Sequence, residues 1–553
     1  MDSSAESSSE SSAGGDHLSD AAHPERDSAR RRKITQFISD KRTEWRALKQ
    51  LKELQRQPIP LRTFWFMLLL VPAMLATMSS KWFDTGVPLY TLAGTMMLLP
   101  ASVVLYKEGW TGFFTATCIA STAGYFLYCH NVITLGDGLV SNQRFAYPAI
   151  ASELRNQAAW VNLAGCSAMV AGLLVAYRRK RKHPDYEWLP RGAIYVPDIT
   201  LRNAVIFITV LHLGSRMYII WRAGFNPITY MLSARGGEFY IYLAGDAGFL
   251  AQFARVFQAA AMTAGAVLLA RRSKCYGART TAYVGIAMVV ALAALMGNRG
   301  HAIAYMISVM AFGVTIPVPR INRLARLLVP LGMGLAVLLF AFLTVYRDVG
   351  FTNLDQAQGR NLGDGVKQML EYDQATMLEQ VLYTTPEFYP PLNGSSLIAL
   401  PLNPVPRVIW PEKPIGMGVE LAARMNMDEH LSLSAGLIGE GYINFLMLGA
   451  VMLPLCFGLL AGFWDRLRNL GNVWPDVYAL WIAGLPGIFY SVRGDVLTGG
   501  SMFMYTAAGT LIILVCFGKS NLNRLAAALA GEGRLPQPEY ARMLGEATRD
   551  RER

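Results

Sequence analysis

The sequence predicts an all-α protein that crosses a membrane about twelve times. Three observations carry that reading. Apolar runs of about 20 residues recur along the chain, the length a helix needs to cross a hydrocarbon core of roughly 30 Å. Hydrophobic residues make up 53% of the chain and charged residues 16%, against about a quarter charged in ordinary soluble domains. The basic residues also fall in a pattern that a membrane explains.

Residues 1–29 are rich in Ser, Ala, Asp and Glu. They lack the apolar side chains a core needs and read as a disordered tail. Residues 30–58 open on Arg30-Arg-Arg-Lys33 and carry Ile34, Phe37, Ile38, Trp45, Leu48 and Leu51 at near-helical spacing. That pattern predicts a basic amphipathic helix on an anionic membrane surface. Candidate spans follow at 63–80, 87–106, 111–133, 158–177, 203–221, 247–270, 281–297, 301–318, 327–346, 436–462, 474–491 and 500–518. They divide the chain into a first bundle segment (61–346), a long loop (347–435), a second bundle segment (436–520) and a C-terminal tail (521–553).

The basic clusters test this order. Arg178-Arg-Lys-Arg-Lys182, Arg271-Arg-Ser-Lys274, Arg320/Arg323/Arg326, Arg466/Arg468 and Lys519/Arg524 each follow an even-numbered span. All therefore fall on the side of the basic N-terminal tail, and the positive-inside rule puts both termini in the cytoplasm. The formal net charge of +12 is then a consequence of topology and does not point to nucleic acid.

The long loop contains Pro401-Leu-Asn-Pro-Val-Pro-Arg-Val-Ile-Trp-Pro-Glu-Lys-Pro414. Prolines fix φ and remove donors, so this run is neither a plain helix nor a central strand. Its apolar residues ask for burial at the membrane surface or against the bundle. It either packs over the bundle or covers a lipid-linked substrate.

Outer segments should be poor in arginine. Here Arg216 lies near the outer end of its span, Arg255 within the next one, and Arg235, Arg299, Arg347, Arg407, Arg424 and Arg493 in or beside outer segments. An arginine inside a span is costly and points to function. Its planar fork binds phosphate oxygens in pairs, so several such arginines can converge on one polyanion, with Lys413 and Trp410 beside them. The plainer alternative pairs each with a nearby carboxylate, as Arg347 with Asp348, Arg493 with Asp495 or Arg235 with Glu238. Candidate proton acceptors on that side are Glu440, Asp495, Asp348 and His301. Glu440 stands near the outer end of an otherwise apolar span in Gly439-Glu-Gly-Tyr-Ile-Asn444. His212 lies mid-span and reads as a packed, hydrogen-bonded core histidine.

No nucleotide-binding, zinc-protease or serine-hydrolase pattern occurs, and no cysteine or histidine spacing fits a metal site. No cytoplasmic loop is long enough for a nucleotide-sugar transferase domain, so any glycosyl donor must arrive on a lipid. No cofactor is expected.

Four local features carry a resemblance: Asn298-Arg-Gly300, Pro404-Val-Pro-Arg-Val-Ile-Trp-Pro-Glu-Lys-Pro414, Gly439-Glu-Gly-Tyr-Ile-Asn444 and Arg493-Gly-Asp495. With them the chain resembles the Wzy-type polymerases of O-antigen and exopolysaccharide repeat units. The general pattern covers residues 60–520, and the specific motifs a few dozen residues. The resemblance implies a GT-C-like glycosyltransferase of the bacterial inner membrane, with the long loop in the periplasm. It implies undecaprenyl-pyrophosphate-linked glycans as donor and acceptor, and a chain-length regulator and a flippase as possible partners. An Arg-x10-Gly pattern of some members is not met, because Gly359 lies one residue too far from Arg347. On this reading Arg299, Arg347, Arg407 and Arg493 hold the donor pyrophosphate, Glu440 or Asp495 takes the acceptor proton, and the loop around Trp410 closes over the saccharide. Two other readings fit the same spans: an O-antigen ligase, and a flippase or transporter of lipid-linked glycan.

Overall fold

A computed structural model describes residues 63, 87–135, 152–178, 196–222, 224, 226, 248–271, 275–295, 304–311, 338, 342, 374–403, 405, 409, 410, 416–427, 433–470 and 475–517. All belong to one compact unit, Arg62–Arg553. The tails 1–29 and 521–553 and the stretch 30–58 lie outside the described residues. Apart from single residues, so do the expected spans 63–80 and 327–346.

The described residues are helical, with no strand. Helix α1 (Val87–Glu108) leads through a 3-10 turn (Gly109–Phe114) into α2 (Ala116–Tyr128) and the short α3 (His130–Leu135). Then come α4 (Ser152–Arg178), α5 (Asp198–Arg222), α6 (Gly248–Ala270) and α7 (Ala278–Leu295). The long loop contributes α8 (Gln374–Thr384), α9 (Ser395–Ile398) and α10 (Met417–Arg424), and the chain closes with α11 (Gly436–Leu470), α12 (Pro475–Arg493) and α13 (Val496–Phe517). Helices α1, α4, α5, α6, α11 and α13 are long and apolar enough to cross a membrane. The protein is therefore a helical membrane protein. Helices α2, α7 and α12 lie on three further expected spans without reaching that standard.

Small residues set the helix spacing. A Cβ on Gly172 of α4 would stand 2.4 Å from the carbonyl oxygen of Leu455 on α11, and one on Gly458 2.3 Å from that of Met169. Close backbone approach is how helices associate in lipid, where burial of apolar surface supplies no net drive.

The two ends of the bundle differ. At one end the Arg271 fork binds Asp476 on α12 twice, at 2.7 and 2.6 Å, and also takes in Asp198 on α5. Asp465 on α11 accepts from the backbone N–H groups of Ala116 and Thr117 at 2.7 and 2.9 Å, capping the N-terminus of α2. Arg468 pairs with Glu108 there as well. At the other end the Tyr128 hydroxyl donates to the Val492 carbonyl and accepts from Leu437 N–H. Gln374 and Ser434 both donate to the Arg493 carbonyl. These groups satisfy the open carbonyls at the C-terminus of α12.

One expectation needs correction. The stretch 436–462 is not one uninterrupted span. Phe445 (φ −138°, ψ 24°) and Leu446 (φ 52°, ψ −141°) break α11 into a short helix and a long one. The short helix folds back until a Cβ on Gly441 would stand 2.2 Å from the Gly449 carbonyl oxygen. Only glycines permit that approach. The stretch 347–435 carries helices of its own: α8 packs on α4 and α11, with Leu378 and Val381 buried in the main core.

Candidate functional site: an arginine pair beneath a re-entrant loop

The break in α11 is where the site begins. A helix end leaves carbonyls without partners. Here the loop before it supplies the donors: Leu392 N–H to the Ile443 carbonyl at 2.9 Å and Asn393 N–H to the Asn444 carbonyl at 3.1 Å. Gly394, at φ 87°, donates to the Asn444 side-chain oxygen at 3.0 Å. Ser396 then donates to Glu440 Oε1 at 2.9 Å and accepts from the Asn444 amide at 2.8 Å. The other Glu440 oxygen accepts from Val496 N–H at 2.5 Å.

Glu440 is fully buried. Both of its oxygens are engaged, tying the short helix, the loop and the first turn of α13 together. Asp495 Oδ1 accepts from Thr498 N–H at 2.7 Å, an N-cap on α13. Its Oδ2 faces Gly416, where a Cβ would stand only 2.8 Å away. Glu440 and Asp495, two alternative proton acceptors of the sequence reading, both lie at the start of α13, and each already holds a helix terminus.

The loop continues past Ser396 along α13. Leu400 packs where a Cβ on Gly500 would lie, 2.4 Å from its Cδ2. The Asn403 amide donates to Ser501 Oγ at 2.9 Å and to the Tyr505 hydroxyl at 3.4 Å. Tyr505 is ten residues along α13 from Asp495, or about 15 Å of helix. The loop thus re-enters the bundle. Irregular backbone at membrane depth is tolerated where it is buried in protein or lines a polar cavity.

At that depth lie two arginines. Arg255 on α6 donates to the Tyr505 hydroxyl at 3.4 Å, and Tyr505 donates to Gln252. Arg216 on α5 lies within electrostatic reach of Arg255, Tyr305 and Tyr505. Tyr490 on α12 also lies within electrostatic reach of Arg255. Both arginines are half-buried. Among the described residues, ion pairs join Arg271, Arg424 and Arg468 to carboxylates, and none joins Arg216 or Arg255 to one. Two guanidinium groups within electrostatic reach of each other, with phenols and amides nearby, are an arrangement that can bind an anion with several oxygens.

The other expected site residues divide as follows. Arg235, Arg299, Arg347, Arg407, Lys413, Asp348 and His301 lie outside the described residues. Arg493 ends α12 beside Asp495, with its carbonyl capped. Trp410 is half-buried and its neighbour Ile409 is 75% exposed. Arg424 takes the plainer role: its fork is occupied by Glu420, Thr385 and the Pro390 carbonyl, at 3.0, 2.8 and 3.0 Å. His212 bonds through Nδ1 to the Ala254 carbonyl at 2.9 Å, as a core histidine should, yet its Nε2 has no partner among the described residues.

Sequence reasoning noted Arg255 without selecting it, and passed over Gln252, Tyr305, Asn403 and Tyr505. Only Asn403, inside the proline-rich run, carried a local signal. No family model, curated protein or solved structure matches the chain.

Proposed function

We propose that the chain is a membrane glycosyltransferase that polymerises undecaprenyl-pyrophosphate-linked oligosaccharide repeat units into O-antigen or exopolysaccharide at the periplasmic face of the bacterial inner membrane. The observation that carries the reading is the Arg216–Arg255 pair, held within spans and without a carboxylate partner among the described residues. A lipid-linked diphosphate is a polyanion that lives at a membrane, and two arginine forks match its oxygens. The same pair stabilises charge as the diphosphate leaves, because donors fixed in a water-poor site need no reorganisation at the moment of reaction. Asn403 and the re-entrant loop exclude water that would otherwise hydrolyse the donor. The resemblance of the proline-rich run and the Gly439–Asn444 segment to repeat-unit polymerases supports the same reading.

The test is reconstitution of the purified chain in liposomes with its lipid-linked repeat unit alone, and sizing of the products. A ladder of longer lipid-linked chains is the expected result. Transfer only when a lipid A-core acceptor is added assigns the chain as a ligase. Passage of the substrate across the bilayer without transfer makes the arginine pair part of a transport path and overturns the catalytic reading.

A further inference from the structure

We infer that His212 is the catalytic proton acceptor of the arginine site, an inference that rests on the glycosyl-transfer reading above. His212 is 2% exposed. Its Nδ1 lies 2.9 Å from the Ala254 carbonyl oxygen. A carbonyl only accepts, so Nδ1 carries the proton and Nε2 presents a lone pair. That lone pair has no hydrogen-bond partner among the described residues. A buried, unsatisfied polar atom is uncommon and asks for an explanation.

Its position supplies one. Arg216 lies one helical turn further along α5, within electrostatic reach of the imidazole. Arg255 directly follows the residue whose carbonyl fixes the ring. The imidazole therefore sits between α5 and α6, one turn of α5 from Arg216 and level with Arg255 on α6. The hydroxyl of Thr209, one turn before His212 on α5, is also buried without a partner among the described residues, so the polar file continues along α5.

The other proton acceptors fit less well. Glu440 and Asp495 hold the first turn of α13, about 15 Å of helix from Tyr505. Tyr505 already directs its proton to Gln252. An imidazolium forming beside Arg216 needs a counter-charge, and the donor diphosphate provides it. Proton acceptance thus depends on the donor being in place.

In the transfer step, the acceptor sugar's hydroxyl proton passes to Nε2 while its oxygen bonds to the donor's anomeric carbon. The bond from that carbon to the diphosphate oxygen breaks, and the electron pair leaves on the diphosphate. Nε2 then returns the proton to the departing diphosphate.

The test compares the full chain with H212N in liposomes. An Asn amide can still donate to the Ala254 carbonyl but has nothing in place of Nε2. Expected are unchanged binding of the lipid-linked donor, read by its protection against thermal unfolding, and elongation slowed about 100-fold or more at saturating donor. Added imidazole should restore part of the rate to H212G. Elongation by H212N at the unaltered rate overturns the inference, and so does a rate loss matched by an equal loss of donor binding. Absence of elongation by the unaltered chain overturns the polymerase reading itself and this inference with it, so the two failures are told apart.

Discussion

The Tyr505 hydroxyl on α13 stands 3.4 Å from a guanidinium nitrogen of Arg255 on α6, and the guanidinium carbon lies 6.0 Å from the centre of the same ring. One phenol thus orients a cation that has no carboxylate partner among the described residues. R255A should weaken donor binding by about 1.5–3 kcal/mol, the worth of a hydrogen bond to a charged group, or roughly 10- to 100-fold. R255K should recover part of that loss, since lysine keeps the charge but not the fork. Y505F should cost less, about 0.5–1.5 kcal/mol. Titration of the reconstituted variants with lipid-linked donor, followed by thermal protection, checks the order.

The break in α11 makes a prediction about folding. Leu446 adopts φ 52°, a conformation that costs a side-chain-bearing residue on the order of 1–3 kcal/mol. L446G should therefore melt above L446A, since both lose the half-buried side chain that packs on the core and only alanine keeps the strain. G449A should melt below the unaltered chain, because its Cβ would stand 2.0 Å from the Gly441 carbonyl oxygen, and backbone cannot yield as a side chain can. Melting in detergent, followed by fluorescence, checks both orders.

These features show what the sequence made legible. Apolar runs and basic clusters identified a helical membrane protein, because length and charge act locally. The break at Phe445–Leu446 lay hidden inside a continuous apolar run, where only tertiary pairing of Leu392, Asn393 and Gly394 with the freed groups at 443 and 444 reveals it. The sequence marks Glu440 as a carboxylate in an otherwise apolar span. Its engagement by Ser396 and Val496 joins residues 44 and 56 positions away, which no local pattern encodes. The meeting of Arg216 with Arg255 depends on how α5 and α6 turn their faces to each other.

Glu440 should behave as a structural hub in stability measurements. E440A leaves the Ser396 hydroxyl and the Val496 N–H without their acceptor in a buried place, at a cost of about 1–3 kcal/mol for each stranded group. E440Q retains an oxygen for Val496 N–H and an amide that can donate to Ser396, so it should recover most of the loss. Comparison of the melting temperatures of the two variants in detergent checks this, and equal melting of E440A and the unaltered chain refutes the hub.

Arg424 should hold the turn at 385–390 to α10. Its guanidinium bonds Glu420, Thr385 and the Pro390 carbonyl and lies 5.4 Å from the centre of the Tyr389 ring. Lysine cannot reach three partners in one plane. R424K should open the turn to limited proteolysis near Phe388, which is 56% exposed, while leaving the spanning helices resistant. An unchanged cleavage pattern would show that the turn is held by something else.

Asn403 connects the loop to the arginine site, since its amide reaches both Ser501 and Tyr505. If the loop excludes water from the donor, N403A should raise hydrolysis of the donor relative to its transfer while leaving donor binding nearly intact. Loss of one neutral hydrogen bond is worth only about 0.5–1.5 kcal/mol, so the loop should loosen without detaching. The measurement is the ratio of free saccharide to elongated chain in the liposome assay. A rise in that ratio separates N403A from R255A, which should lower both products together because it weakens capture of the donor before either reaction begins.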